Sequence, residues 1–387
     1  MARLARVEVF APDEVAIVHV MNRVVRRCFL LGNDPVTGKN YDHRKVWIED
    51  LLKRFAAQFG IDLLGFAILS NHFHLILRSR PDVVSTWDDG QVAHRWLMLC
   101  PVRKTAERLP EEPNEAEIDS IRNDPQRLAA IRSRLSDIGW WMRLLCQQIA
   151  VRANDEDQEV GKFWQARFRA VRLLDEQALL ACCAYVDLNP IRAAMAETLE
   201  ASDHTSVQRR IQAIQASESK PAASKRANVL PVQSPSETQK PDTNKSRNPQ
   251  SVALPASPDG FLSPLTLEER TGELGAVPSQ GGLRCSDKGF LPLTQGDYLA
   301  LLDWTARQSV PGKRGATPKS LRPIFERLSL DPKIWCSLVS SFGRLFYNVA
   351  GLPPTIEATA SRVTQKRYYV PSGARKLFAV ATEHVSA

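Results

Sequence analysis

Tyrosine is scarce in this chain: there are six in 387 residues, and only Tyr41 and Tyr185 precede residue 298. Cysteine pairs are missing as well. The seven cysteines are scattered, odd in number and never spaced C-x-x-C, which argues against a disulfide framework and against a cysteine zinc site and makes a reducing cytoplasm the expected home. No apolar run reaches the roughly 18 residues of a membrane helix, and Met1 to Arg6 lead into no secretory h-region, so no membrane partner is expected. There is no G-x-x-x-x-G-K-[ST] loop to cradle a nucleotide, and no internal repeat. Between Tyr185 and Phe261 there is no aromatic residue at all.

What is present is an ordinary globular composition, 43% hydrophobic and 24% charged, with a net charge of +8. That balance mildly favours an anionic partner. The excess is concentrated: from Leu291 onward there are 13 Lys and Arg against 6 Asp and Glu. The length suffices for two or three domains.

Val15 to Val25 is rich in β-branched residues and predicts a first strand. Apolar residues from Val46 to Phe59 recur with a helical period, and Gly60 offers a left-handed stop. Leu63 to Leu69 and His72 to Leu77 predict two strands joined at Ser70-Asn71. Val83 to Leu99 predicts a helix. The charged, proline-dotted stretch 101–132 reads as an insertion. A helix is expected over Leu135 to Val151 and a fourth strand within Gly161 to Leu174. Asp175 then caps a helix running from Glu176 to about Leu188, and Asn189-Pro190 opens another from Ile191 to Leu199. The resulting order, β-α-β-β-α-β-α, predicts an α+β domain at 10–200 with a ferredoxin-like antiparallel sheet and helices on one face. Residues 201–290, dominated by Ser, Pro and Ala, predict a disordered linker. Residues 291–380 predict a small basic helical domain, with basic loops at Lys313-Arg314 and Lys366-Arg367.

The third strand carries the most informative pattern, His72-Phe73-His74. A strand has a side-chain period of two, so both imidazoles share one face while Phe73, Leu75 and Leu77 share the other. Two such imidazoles hold a divalent cation when a third group arrives from elsewhere; alone, they are equally at home packed on a half-exposed strand. Tyr185 lies late on the helix after the fourth strand. A phenol, with a pKa of about 10, is a weak nucleophile at neutral pH. It becomes an effective one against a phosphate that a metal polarises and aligns.

Four blocks in order resemble the single-tyrosine HUH transposases (insertion-sequence 200-like), and specifically their REP-associated tyrosine transposase branch. These are His19-Val20-x-Asn22-Arg23, Ser70-Asn71-His72-Phe73-His74, Phe163-Trp164-Gln165-Ala166-Arg167-Phe168, and Tyr185-Val186-Asp187-Leu188-Asn189-Pro190-Ile191-Arg192-Ala193. The resemblance spans about residues 10–200, and the stretch 101–132 departs from it. It implies DNA transposition chemistry: site-specific cleavage and rejoining of single-stranded DNA, at hairpin-forming repeats, with no ATP. Tyr185 would form a 5′-phosphotyrosine bond and leave a free 3′-OH that later reseals the strand. His72 and His74 would hold Mg²⁺ or Mn²⁺. For Asn189, at i+4 from Tyr185, two roles stay open: third ligand, or cap of the following helix.

Arg23, Arg26, Arg27, Arg167, Arg169, Arg172 and Arg192 are candidates for phosphate contacts. Trp164, Gln165 and Phe168 are candidates for the DNA surface, with core packing the alternative for the aromatics. His19 reads as a structural histidine. A nucleoid-associated protein, monomeric or homodimeric, is expected. Two other classes compete. One is a non-catalytic DNA-binding regulator derived from a transposase. The other is an unrelated metal-dependent hydrolase, for which Asp62 and Asp82 are the nearest acids and have no convincing spacing.

Overall fold

The computed structural model describes residues 13–25, 28–219, 257–267, 275–308, 318–328, 330–362 and 368–385. The first part of the chain forms β1 (Ile17–Arg23), α1 (His43–Gln58), β2 (Ile61–Ile68), β3 (His72–Ser79), α2 (Pro81–Val84), α3 (Asp89–Leu99), α4 (Glu115–Arg122), α5 (Pro125–Leu135), α6 (Ile138–Asp157) and β4 (Arg169–Leu173). The rest forms α7 (Glu176–Asp187), α8 (Asn189–Arg192), α9 (Ser206–Glu218), α10 (Gln295–Gln308), α11 (Arg322–Leu328), α12 (Pro332–Leu345), β5 (Val349–Ala350), α13 (Pro353–Arg362) and α14 (Ser372–Val385). The result is a mixed α/β protein with a five-stranded sheet in the order β2-β3-β1-β4-β5. The pairs β2–β3, β3–β1 and β1–β4 are antiparallel, and β4–β5 is parallel.

Side-chain alternation builds two cores, one on each sheet face. Val18, Val20, Phe73, Leu75 and Leu77 point into a core shared with α1, α3 and α6. Leu64, Ile76, Val171 and Leu173 point into a second, shared with α7, α9, α10, α11 and α12. The expectation of helices on one face is therefore corrected. Once α7 and the C-terminal helices bring a second apolar surface, both faces are covered, and every residue of β2 is buried.

Several boundaries differ from the sequence reading. The helix expected over Val83–Leu99 is broken, because Pro81 starts α2 and a capping box at Asp88 and Gln91 starts α3 afresh. The stretch 101–132 contributes α4 and most of α5, with Ile121, Leu128 and Ile131 buried. Only Arg169–Leu173 of the expected fourth strand is strand; Trp164 makes a single bridge to Val24. The helix after Asn189 lasts only to Arg192, and Ala194 turns to a positive φ of 55°. Gly60 is no left-handed cap. Phe59 ends α1 in extended backbone, and the requirement at Gly60 is space, since a Cβ there would lie 2.0 Å from Val84 Cγ2.

The region expected as a disordered linker is corrected in part. Residues 220–256 and 268–274 lie outside the described residues. The flanks, however, close the exposed edge of β2, whose unpaired backbone groups need partners. Ile68 N–H donates to the His204 carbonyl, Phe66 N–H to Ser206 Oγ, and Ser263 N–H to the Leu63 carbonyl. Thr205 caps α9, which buries Val207 and Ile211. Described residues of the C-terminal segment share a core with α7 and add β5 to the sheet. The loops at Lys313-Arg314 and Lys366-Arg367 lie outside the described residues.

Glu49 on α1 ties α9 in place. It accepts from Arg209 Nε and Nη2 at 2.6 Å each and meets His204 Nδ1 at 2.9 Å. Burial pushes the Glu49 carboxyl up, but the bonds from His204 and Arg209 outweigh it and bring the pKa from 4.5 down to about 2. A depressed carboxylate contributes stability above its unfolded pKa and loses it as pH falls through the folded one. Between pH 4.5 and about 2, wild type is expected to lose about 3 kcal/mol more stability than Glu49→Gln. Urea unfolding at stepped pH measures this, and parallel pH profiles for the two proteins would contradict it.

Candidate functional site

The register of three strands decides which side chains share the α7 face. Met21 pairs with His74 and Arg23 with His72, while His19 pairs with Ile76 on one side and Val171 on the other. Met21 also pairs with Arg169 on β4. Directly opposed residues lie on one face, so His19, Arg23, His72, His74 and Arg169 converge there. The helix α7 crosses this face and supplies Tyr185. The end of α12 roofs it with Phe342, Gly343 and Phe346. His19, Arg23, His74, Arg169, Tyr185 and these α12 residues line a cavity of about 290 Å³ to which Arg192 and Arg344 also contribute; His72, whose ring lies 5.0 Å from that of His74, is not among the lining residues.

His74 is buried, 1% exposed, and its ring centroid lies 5.4 Å from that of Tyr185 with planes at 86°. The His72 and His74 rings are 5.0 Å apart. His72 Nδ1 lies 2.6 Å from Asn71 Oδ1, and His74 Nδ1 lies 2.9 Å from His19 Nε2. Among the described residues His74 Nε2 is buried with no hydrogen-bond partner. Burial first, then Arg23, brings the His72 pKa down to about 4; burial first, then Arg169, brings that of His19 to about 3. Burial also drives His74 well below its ordinary value, helped by His19 and His72. All three imidazoles are therefore neutral at pH 7 and keep a lone pair.

These features fit a divalent cation. The Nδ1 of His72 and that of His74 each have a hydrogen-bond partner, as is usual for ligating histidines, and the buried Nε2 of His74 is left without one. Among the described residues no cluster of three or more His, Cys, Asp or Glu has metal-binding geometry, so a third protein ligand has to come from another residue type. Asn189 is the nearest choice in sequence. Leu188 keeps helical backbone between α7 and α8, no side-chain cap is formed there, and the Asn189 side chain lies close enough to the Tyr185 phenol to favour its ionised form. The capping role left open for Asn189 is not the one observed.

Burial raises the Tyr185 pKa, partly offset by the nearby Arg192 and Asn189 side chains. The phenol is therefore protonated at neutral pH. Phe342 stacks on its ring at 5.7 Å, and a Cβ on Gly343 would sit 2.9 Å from its Oη. Arg192 lies over the ring at 5.4 Å and donates to the Val339 and Ser340 carbonyls. Arg169 donates to the Gly343 and Phe346 carbonyls. Both cations thus meet the negative end of the α12 dipole.

Other sequence candidates lie elsewhere. Trp164 packs edge-on against Phe73 in the opposite core and donates its indole N–H to the Cys146 carbonyl; Phe168 is buried there too. Gln165 and Arg167 are exposed on the loop before β4. Arg172 points away from the cavity and pairs with Glu14. Arg26 and Arg27 lie outside the described residues. Phe342, Gly343 and Arg344 were not singled out from the sequence, because nothing local marks a segment some 150 residues downstream of Tyr185 as its neighbour.

No protein-family model matches the sequence, and no similar protein is found among curated ones. Among solved structures, one titled "Structure of the REP associates tyrosine transposase bound to a REP hairpin" is similar over 55% of this chain and 86% of that one. The identity is 11% and the TM-score 0.31, too slight a likeness to carry an argument. Among the described residues no helix is long and apolar enough to cross a membrane.

Proposed function

We propose that this chain is a DNA-strand transferase of the single-tyrosine HUH type, of the REP-associated branch, with Tyr185 as nucleophile. The observation that carries the reading is the meeting of Tyr185 and His74 across one cavity, 5.4 Å apart, from two motifs more than a hundred residues apart. The antiparallel order β2-β3-β1-β4, with α1 and α6 on one face, supports a ferredoxin-like core carrying α7 as an added helix on the other.

In the reaction Tyr185 Oη attacks a phosphodiester in line. An Oη–P bond forms and the P–O3′ bond breaks. The phenolic proton is lost and the leaving 3′ oxygen gains one, so the step is proton-neutral overall. Resealing reverses these bonds. His72 and His74 would hold Mg²⁺ or Mn²⁺, with Asn189 as the proposed third ligand; when bound, the cation polarises the scissile phosphate. Arg23, Arg169 and Arg192 line the cavity, and among the described residues no carboxylate does, which suits a phosphate. The substrate we propose is single-stranded DNA flanking a hairpin.

The test is incubation of the protein with end-labelled single-stranded hairpins from its flanking DNA, in Mn²⁺ or Mg²⁺. A denaturation-resistant adduct that retains the label 3′ of the cut, and that EDTA abolishes, is expected. Cleavage with no protein-linked product would contradict the tyrosine mechanism. A second reading, a non-catalytic DNA-binding regulator, draws on the stacking of Phe342 over Tyr185; tight binding without any adduct would favour it.

A further inference from the structure

His19 is the one buried histidine of the cavity that the proposed chemistry leaves without a task. Its Nε2 lies 2.9 Å from His74 Nδ1, both atoms are buried, and the ring planes differ by 11°. The centroids are 5.1 Å apart, which is the nitrogen separation plus about two ring radii. The rings therefore meet edge to edge in one plane, the geometry of an in-line N–H···N bond.

Two neutral imidazoles sharing one bond have two arrangements. If His19 Nε2 donates, His74 must carry its own proton on Nε2. That places a buried N–H where no acceptor is present among the described residues, at the cost of an unmade hydrogen bond. If His74 Nδ1 donates, His74 Nε2 is a bare lone pair. The second arrangement puts the His19 proton on its Nδ1, which is not among the buried atoms left without a partner, and so orphans no buried donor. It also matches His72, whose Nδ1 faces Asn71 Oδ1, an acceptor, and whose Nε2 is thereby left unprotonated.

We propose that His19 is a positioning residue: it accepts the Nδ1 proton of His74 and so holds His74 in the tautomer whose Nε2 lone pair faces the cavity for a divalent cation. The inference rests on the metal-ligand reading above, but it adds a residue and a chemical task to it. His19 never touches the cation. It fixes the plane and the proton of the ring that does, the outer-shell role that a carboxylate or a carbonyl fills at other metal-binding histidines.

Long-range ¹H–¹⁵N correlation spectra of the full chain, free of metal, report the tautomer, with His74→Ala supplying the assignment. Mn²⁺ titration followed by electron paramagnetic resonance reports affinity without any DNA. Wild type is expected to show His74 protonated at Nδ1. His19→Gln, whose amide oxygen also accepts, is expected to keep that tautomer and bind Mn²⁺ within about 3-fold of wild type. His19→Phe, which keeps a ring but offers no acceptor, is expected to lose the tautomer preference and weaken Mn²⁺ binding on the order of 10–100-fold. A wild-type His74 protonated at Nε2 overturns the proposal, as does undiminished Mn²⁺ affinity in a folded His19→Phe. Failure of wild type itself to take up Mn²⁺ overturns the metal reading instead, and the proposed role of His19 with it.

Discussion

Tyr185→Phe is expected to abolish the covalent protein–DNA adduct, a loss on the order of 10⁴-fold or more, while leaving the fold in place. A phenylalanine ring has no oxygen to form the phosphate ester, and a missing nucleophile is not replaced by its neighbours at comparable rates. The ring itself is kept, so the stacking on Phe342 and the packing of α7 persist. The fold loses only the phenolic hydroxyl, a change of about 1 kcal/mol at most, which lowers the melting temperature by a few degrees at most. DNA binding is expected to stay within a few-fold of wild type, because Arg23, Arg169 and Arg192 are untouched. The measurement is adduct yield on a labelled hairpin alongside a thermal melt. An adduct that survives the substitution would mean that another side chain attacks, and the tyrosine assignment would fall. His72→Ala should also abolish the adduct, but through the cation, so the two variants separate nucleophile from metal: only the histidine variant should weaken Mn²⁺ binding.

The largest expected change in stability is at Asp62. Its carboxylate is fully buried and accepts from Arg78 Nε at 2.8 Å, Arg80 Nη1 at 3.0 Å, the Ser286 amide at 3.1 Å and the Ser286 hydroxyl. Arg80 is 1% exposed and Arg78 6%. Asp62→Ala would leave two buried guanidinium groups short of their anion. Arg80 keeps Asp82, and Arg78 keeps the carbonyls of Lys288 and Gly289, yet neither replaces a buried carboxylate. Breaking one side of a buried ionic cluster costs about 3–5 kcal/mol, against a typical total stability of about 5–15 kcal/mol. Denaturant unfolding is expected to show that loss, and amide exchange is expected to show residues 275–290 losing protection with it. A change below about 1 kcal/mol would mean that the segment around Ser286 is not held by this carboxylate in solution.

The candidate site was legible where local periodicity sets it. Period two in His72-Phe73-His74 places both imidazoles on one face, and the structure has them there. Helical spacing places Asn189 one turn beyond Tyr185, and its side chain is near enough to influence the phenol. Asp175 caps α7 by accepting from the Ala178 amide, as the residue order predicts. The motif arginines were less legible, because charge alone does not tell a cavity from a surface. Arg192 reaches the site, Arg167 is exposed, and Arg172 is turned away by the alternation of β4. Which of its two roles Trp164 takes was not legible for a similar reason: an aromatic in a loop carries no mark of which core it enters.

By itself, then, the sequence determined the order of the first four strands with α1, α6 and α7, the face on which the histidines lie, and the helix that brings Tyr185, because each follows from side-chain period and capping over a few residues. Tertiary structure alone decided that α9 closes the β2 edge, that α10, α11 and α12 share a core with α7, that Phe342 covers Tyr185 and that His19 meets His74. Each of these is a contact between segments far apart in the chain. Its free energy comes from apolar faces finding one another and from buried polar atoms finding partners, and a single sequence shows that such faces exist without showing which of them will pair.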